Sequence, residues 1–434
     1  MCGIAAIYAY RDAAPLVDLG ELRTIRDHMT ARGPDGKGEW ISENGRTAMA
    51  HRRLAIIDLT EEAAQPMVSD DGKTVISFNG EIYNYQALRA GLVEKGCWFH
   101  SHSDTEVLLH LYREKGADMV HDLRGMFAFA LWDADKQAML LARDPYGIKP
   151  LYYADDGKTV RVASQVKALA AGGNIPTEKD PAAVVAFHLL GSVPEPYTIY
   201  AAIKALPAGS MLWVYASDPG RPECYRTISD IWARAEKAPV QTEDIEAEVR
   251  EVLLDSVRHH MVSDVPVGAF LSAGVDSGAL LGLMREIHPD MEIQTVTLAF
   301  EEFEGKQEDE SILAEKVAHR YGAKHTRRLI TQDEFIQDLP KILDAMDQPS
   351  IDGINTWFVS KAAKELGIKV AISGLGGDEL LGGYPSFRDI PRWVRYFRIP
   401  SRIPFVGDMV RKLGSSLLTP TASLNPKALG LLKY

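Results

Sequence analysis

Along the first 210 residues the apolar positions come in short runs that alternate with polar ones and are cut by turn signals. The runs are GIAAIYAY from residue 3, TVISFNGEIYN from 74, MFAFALWD from 126, AMLLARD from 138, LYYA from 151 and TVRVAS from 159. Asp-Gly at 71–72 and at 156–157, and Asp-Ala-Asp-Lys at 133–136, read as hairpin turns between them. Apolar residues at helical spacing interrupt this pattern near 17–30 and 103–116, where Val107, Leu108, Leu111 and Tyr112 share one face. Many hairpins with a few helices predict packed antiparallel sheets covered by helices.

After about residue 240 the period changes. An amphipathic helix over about 242–261 puts Ile245, Val249, Val252, Leu253 and Val257 on one stripe, and the continuous apolar run VPVGAFL follows, as in a strand buried on both faces. Strand-like IQTVTLAF (293–300), HTRRLI and KVAIS (369–373) then alternate with helical stretches near 309–321, 332–346 and 355–366. That alternation predicts a doubly wound parallel α/β sheet. Between the two patterns, residues 216–240 carry Pro219, Pro222 and Pro239 with little apolar periodicity, so the domain boundary is expected there.

Composition narrows the class. The chain has 434 residues, 46% of them apolar and 25% charged, with 35 Gly and 23 Pro, which is the make-up of an ordinary globular protein rather than a disordered, collagenous or disulfide-scaffold chain. A formal net charge of −12 without a basic stripe argues against a nucleic-acid partner. The longest apolar runs, such as AAVVAFHLL at 182–190, are about half of the ~20 residues that span a bilayer, and no signal peptide opens the chain. No membrane association and a cytoplasmic location are therefore expected. Cys2, Cys97 and Cys224 form no C-x-x-C pair, which fits neither a disulfide framework nor a zinc site; Cys97 and Cys224 read as buried thiols. His51, His100, His102 and His110 have no metal-site spacing and read as structural.

Cys2 stands apart. Removal of the initiator Met would leave its thiol beside a free α-amino group, which titrates near ~7.7 and so joins nucleophile and general base in one residue. Downstream follow Arg32-Gly33-Pro34-Asp35, His51-Arg52-Arg53-Leu54, Asn79-Gly80-Glu81-Ile82-Tyr83-Asn84, Ser103-Asp104-Thr105-Glu106 and Arg143-Asp144. In this order the motifs resemble the class II glutamine amidotransferases, the Cys-initiated branch of the N-terminal nucleophile hydrolases, over nearly all of residues 2–210. The resemblance implies Cys2 as nucleophile, with the Asn79 amide and the Gly80 N–H as donors to the tetrahedral oxyanion. It implies a glutamine site of Arg53, Leu54, Ile56, Asn79, Gly80, Glu81 and Asp104, in which Arg53 takes the α-carboxylate and Glu81 and Asp104 the ammonium.

Two Gly-Lys-Thr tripeptides, at 72–74 and 157–159, lack the leading glycine of a Walker loop, where Met67 and Tyr152 stand instead. A stronger phosphate signal is FLSAGVDSGALL, a buried strand ending at Leu271, a Ser272-Ala273-Gly274-Val275-Asp276-Ser277 turn, and a helix from about Asp276. It resembles the SGGxDS pyrophosphate loop of the ATP pyrophosphatase superfamily, with Ala273 at a usual glycine. Ser373-Gly374-Leu375-Gly376-Gly377-Asp378-Glu379-Leu380-Leu381-Gly382-Gly383-Tyr384 resembles the SGxGxDExxGGY segment of glutamine-hydrolysing asparagine synthetases, with Leu375 where some members carry Glu. These resemblances imply an ATP site of Phe270, Leu271, Ser272, Gly274, Asp276, Ser277, Leu298, Ser373 and Gly374. They also imply Mg²⁺ held on the pyrophosphate by Asp276, Asp378 and Glu379.

The expected fold is thus an α+β N-terminal nucleophile hydrolase, an αββα sandwich of antiparallel sheets, over residues 2–215. A linker at 216–240 and an α/β parallel-sheet ATP pyrophosphatase domain over 241–434 follow. The expected activity is that of a carbon–nitrogen ligase: glutamine is hydrolysed, aspartate or another carboxylate is adenylated with ATP, and ammonia forms the amide. The family's R-x-P-F-L-D-type motif and later catalytic lysine have no match up to Tyr434, and Lys427 and Lys433 sit in no recognisable context, so the second domain is expected to lack its carboxy-terminal part. Partners in keeping with that are a second copy or a chain completing the region. The rival readings are a glutaminase with an incomplete synthetase half and, in a different class, a nucleotide-sensing regulatory protein; the intact Cys2, Asn79 and Asp104 argue against the latter.

Overall fold

The computed structural model describes residues 1–237, 244–306 and 309–398. Part of the expected linker (238–240) and the end of the chain, with Lys427 and Lys433, lie outside the described residues. Residues 1–274 and 278–373 make one compact unit. Its first sheet is antiparallel, with strands in the order Lys204–Ala205, Tyr152–Asp155, Val160–Ala163, Gly3–Tyr8, Thr47–Arg53 and Gly36–Ile41. A second antiparallel sheet runs Glu223–Cys224, Ser210–Tyr215, Ala138–Arg143, Gly125–Asp133, Thr74–Ile82 and Met67–Val68.

The period-2 alternation of the sequence sets how these sheets stack. Ile4, Ala6 and Tyr8 face inward onto Ala128, Ala130 and Trp132 of the second sheet. Ala5 and Ile7 face out under the helices Leu19–His28 and Val166–Ala171, while Phe127, Phe129 and Leu131 face out under Tyr85–Glu94 and Asp104–Lys115. The result is the expected αββα order. Both Gly-Lys-Thr tripeptides lie at hairpin turns, where Gly72 and Gly157 take φ of 71° and 84°.

Some local expectations shift. Helix Tyr85–Glu94 has no counterpart in the sequence pattern, and the apolar run at 182–190 is helix Pro181–Leu190, capped by Asp180 on Ala182 N (2.9 Å) and ended by Gly191 with φ 78°. The proline-rich stretch after residue 215 holds an edge strand, Glu223–Cys224, and a helix, Ile228–Lys237, with no buried residue. Cys224 is therefore exposed and Cys97 only half-buried, which corrects the reading of both as buried thiols. No helix among the described residues is long and apolar enough to cross a membrane.

Further along the same unit, four strands form a parallel sheet in the order Lys324–Ile330, Gln294–Phe300, Val267–Phe270, Val370–Ile372. Its core is split over two faces. Val267, Ala269 and Leu271 pack with Val257, Leu281, Met284 and Ala314 from three helices, and Leu298 and Phe300 pack with Ile342 and Phe358 from two others. The strand order reverses between Val267–Phe270 and Val370–Ile372, so their carboxyl ends flank a topological switch point, where open α/β sheets bind ligands. The second unit comprises Val275–Ser277 and the residues from Gly374 on, with helices Gly377–Leu381 and Pro385–Phe397.

Candidate active site

Strand Gly3–Tyr8 lies between Val160–Ala163 and Thr47–Arg53 and is buried along its length, which fixes the residue just before it. Ser164 Oγ accepts from Ile4 N at 3.0 Å, and Arg32 Nε donates to the carbonyl oxygen of Cys2 at 3.0 Å. The Cys2 sulfur accepts from Leu54 N at 3.4 Å. Burial pushes its thiol up, against the pull of that N–H, the amino terminus, Lys149 and Arg32. Burial also drives the amino terminus down to about 5, so an amine here is neutral at pH 7.

Asn79, Gly80 and Glu81 occupy strand Thr74–Ile82, paired with Gly125–Asp133. Only glycine fits at 80, because a Cβ would run into the carbonyl oxygen of Met126 and stand 2.8 Å from Phe127 Cα. Asn79 is 1% exposed, and its side-chain Nδ2 is buried without a hydrogen-bond partner. An orphaned buried donor is costly unless a ligand uses it.

Asp104 opens helix Asp104–Lys115, whose cap Ser103 accepts from Thr105 N, and its Oδ2 accepts from Ile82 N at 2.9 Å. Burial pushes the Asp104 carboxyl up to about 7, with the nearby Glu81 adding to the rise; burial raises Glu81 as well. Arg53 is held by its guanidinium on Thr60 O (2.7 Å) and Asp58 O.

These residues meet. Cys2, Arg53, Leu54, Ile56, Asn79, Gly80, Glu81 and Asp104, drawn from separate segments of the chain, all line one cavity of about 40 Å³ in which Met1 forms part of the wall. Among the members that sequence reading missed are Gln65 and Lys149. Gln65 is buried, takes Phe78 N on Oε1 (2.7 Å) and donates to Thr105 (3.2 Å). Lys149 is 6% exposed, and burial pushes its ammonium down against the pull of Glu81 and Cys2. The signal that could have found Lys149 is its place just after Arg143-Asp144. The Asp144 carboxylate accepts from Tyr146, Ile148 and Lys149 N–H groups at 3.0 Å each and so fixes that turn. No histidine lines this cavity: His51 is buried on Ser77 Oγ (3.0 Å) and kept neutral, its pKa lowered by burial to about 3.

The positions singled out for ATP fall at strand ends and turns. Leu271 N donates to Val296 O at 3.0 Å just past strand Val267–Phe270, and Leu298 lies on the neighbouring strand; both side chains also belong to the apolar core. Ser272 Oγ accepts from Gly274 N at 3.1 Å, and Gly274 caps helix Val275–Ile287. Ala273 does not take a positive φ, so its methyl is accommodated by the backbone. Ser373 directly follows strand Val370–Ile372.

In the second unit the glycines answer to close approach. A Cβ on Gly374 would stand 2.9 Å from Ser277 N, one on Gly377 would strike the Asp276 carboxylate, and one on Gly383 the Asp378 carboxylate. Glu379 accepts from Tyr384 OH at 3.2 Å, and Leu375 is 90% exposed. Among the described residues no three acidic, His or Cys side chains gather as a metal cage. Asp276 stands against the backbone of Gly377, and Asp378 and Glu379 follow in helix Gly377–Leu381.

Comparison with known proteins gives two family matches, a glutamine amidotransferase domain over residues 1–225 and asparagine synthase over 248–432. The chain is 38% identical to asparagine synthetase [glutamine-hydrolyzing] 1 of Bacillus subtilis over 92% of its own length and 62% of that protein. It is 33% identical to asparagine synthetase B of Escherichia coli, over 90% and 66%. With a putative asparagine synthetase [glutamine-hydrolyzing] of Methanocaldococcus jannaschii it shares 31%, over 94% and 82%. The chain thus spans about three fifths of the Bacillus relative.

Proposed function

Because the chain belongs to the family of glutamine-hydrolysing asparagine synthetases, we propose that it takes ammonia from glutamine and uses ATP to place it on a carboxylate, with aspartate as acceptor and asparagine, AMP, pyrophosphate and glutamate as products. In this reading residues 2–215 form the glutaminase and the chain from 241 on the synthetase, joined by 216–240, and the protein works in the cytoplasm.

The observation that carries the first half is the buried, unpartnered Nδ2 of Asn79 in one cavity with the Cys2 sulfur. Such a donor, held in place before the reaction, suits an oxyanion that exists only in the transition state. Loss of Met1 opens the cavity wall and leaves the Cys2 amine as base. The thiol gives its proton to that amine, and the sulfur attacks the glutamine side-chain carbon. Asn79 Nδ2 and Gly80 N–H take the oxyanion. The C–N bond then breaks, the leaving nitrogen collects the proton as ammonia, and water hydrolyses the thioester to glutamate. Arg53 pairs with the α-carboxylate, Leu54 and Ile56 shape the wall, and Glu81 and Asp104 take the ammonium.

In the second half the acceptor carboxylate attacks the α-phosphorus of ATP, pyrophosphate leaves, and ammonia displaces AMP from the acyl-adenylate. Ser272, Gly274, Asp276 and Ser277 receive the pyrophosphate at a helix start, Ser373 and Gly374 lie by the nucleotide, and Phe270, Leu271 and Leu298 flank adenine. Mg²⁺ on Asp276, Asp378 and Glu379 would supply charge neutralisation for the leaving pyrophosphate. Leu375, apolar and exposed beside these carboxylates, favours a second reading in which the acceptor is a carboxylate other than aspartate.

The deciding experiment assays glutamate, AMP and asparagine on the chain as it is, beside Cys2→Ala and Asp276→Ala. Cys2→Ala should abolish glutamate release and leave synthesis from free ammonia. Asp276→Ala should abolish pyrophosphate release and spare the glutaminase. Glutamate release that persists in Cys2→Ala overturns the nucleophile. Absence of pyrophosphate from the parent chain with aspartate overturns the aspartate-dependent synthetase.

A further inference from the structure

The loop that carries Ile56 and Ile57 in the wall of the cavity at Cys2 is held by a residue from beyond the first 225. Asp264 sits in the short segment between helix Ile245–His260 and strand Val267–Phe270. Its Oδ2 accepts from Asp58 N at 2.7 Å, and its own N–H donates to Ile56 O at 3.0 Å. Two hydrogen bonds of opposite sense therefore pin the loop 56–58 from outside the glutaminase sheets.

Asp58 uses every polar atom it has. It is buried at 5% exposure and takes a φ of 52°, a left-handed backbone that residues other than glycine rarely adopt without fixed partners. Its carbonyl oxygen accepts from the Arg53 guanidinium. Its Oδ1 accepts from Thr60 N (3.0 Å) and Thr60 Oγ1 (2.6 Å), and its Oδ2 accepts from His102 N at 2.7 Å. His102 lies two residues before Asp104. Asp58 thus ties the cation assigned to the α-carboxylate of glutamine to the loop that carries the anion assigned to its ammonium.

We propose that Asp264 is a positioning residue for glutamine: by clamping Asp58 it sets the spacing between Arg53 and Asp104. The inference deepens the glutaminase reading and rests on it. Its consequence is that glutamine affinity depends on a side chain of the second half of the chain. A lost acceptor leaves the Asp58 N–H buried and unpaired, and the loop then relaxes away from the geometry that binds both ends of one amino acid.

The test is steady-state glutamate release by the full chain carrying Asp264→Ala, Asp264→Asn or Asp264→Glu, with Asp104→Asn as reference. Asp264→Ala is expected to raise KM for glutamine about tenfold while kcat stays within about twofold, since Cys2 and Asn79 are untouched. Asp264→Asn keeps an oxygen for the Asp58 N–H and should stay within about threefold of the parent KM. Asp264→Glu displaces the acceptor by one methylene and should raise KM, which keeps the test open if the alanine variant does not fold. Alkylation of Cys2 by iodoacetamide should be unchanged in all three. A KM that does not move in Asp264→Ala or Asp264→Glu while it rises in Asp104→Asn overturns the clamp alone. A KM that Asp104→Asn leaves unmoved, or a parent chain that releases no glutamate, overturns the glutaminase reading beneath it.

Discussion

Arg32 Nε donates to the carbonyl oxygen of Cys2 at 3.0 Å, and the amino terminus donates back to the carbonyl oxygen of Arg32 at 3.2 Å. The guanidinium is half-buried beside the sulfur, and burial lowers its pKa against the opposing charge of Asp347. A residue at the very start of a chain has few covalent constraints, so this contact does for Cys2 what a preceding strand would do for an internal nucleophile. Arg32→Ala is expected to lower kcat for glutamate release about 10²-fold through misplacement of the sulfur, with a smaller change in KM. Arg32→Lys should recover only part, because an ammonium cannot reproduce the planar fork. Equal losses in kcat for a distant surface Arg→Ala control would show that the contact has no such role.

Asn79 gives the sharpest separation of binding from chemistry. Its Nδ2 has no hydrogen-bond partner within the protein, so removing it breaks no protein contact. Asn79→Ala should cost about 10²- to 10³-fold in kcat and leave KM for glutamine within a few-fold. Asn79→Asp should be worse, since a carboxylate would face the developing oxyanion. An unchanged kcat in Asn79→Ala would remove Asn79 from the chemistry.

Much of this was legible in the chain because the signals are local. The alternation in MFAFALWD sends Phe127 and Phe129 to one face and Ala128 and Trp132 to the other, and the unbroken apolar VGAF becomes a strand buried in a parallel sheet. The residues from Cys2 to Asp104 could be named because each sits in its own short motif; that they line one cavity depends on pairings such as Gly3 with Arg52 and Gly80 with Phe127, which no motif shows. Asp58, Lys149 and Asp264 were missed for the same reason. A lone Asp or Lys carries no signal until the fold brings its partner from 206 residues away, as with Asp58 and Asp264. Helix Tyr85–Glu94 escaped notice because only Tyr85 and Leu92 are buried, which leaves no apolar stripe along it.

The carboxyl of Asp104 gives a pH signature. Burial holds its pKa at about 7, and the substrate ammonium needs the ionised form. The ionised fraction rises with pH through about 7, so kcat/KM for glutamine should fall as pH drops below that value, by about tenfold per pH unit at the acid limb. Asp104→Asn should lower kcat/KM throughout and flatten that limb. A profile of the parent chain that is level from about pH 5 to about pH 7 would show that Asp104 is not the titrating group.

Lys149 should set the reactivity of the sulfur. The charged and titratable groups facing it are Glu81 on strand Thr74–Ile82, Cys2 at the chain start, Arg32 after the first helix and Asp144 at the base of its own turn. Burial strips the Cys2 thiolate of its hydration and pushes the thiol up, and the Lys149 ammonium is one of the few nearby charges that pull it back. Lys149→Met removes that pull, so the thiol titrates at higher pH and the thiolate fraction near pH 7 falls, by about tenfold for each pH unit that the titration midpoint rises. The measurement is the rate of Cys2 alkylation by iodoacetamide against pH. The midpoint should move to higher pH in Lys149→Met and return in Lys149→Arg, which keeps the charge. Without that cation Glu81 also binds its proton more tightly, so KM for glutamine should rise in Lys149→Met at about pH 6 more than at about pH 8. An alkylation midpoint that is the same in the methionine variant and the parent would leave the thiolate to the Leu54 N–H, the amino terminus and Arg32.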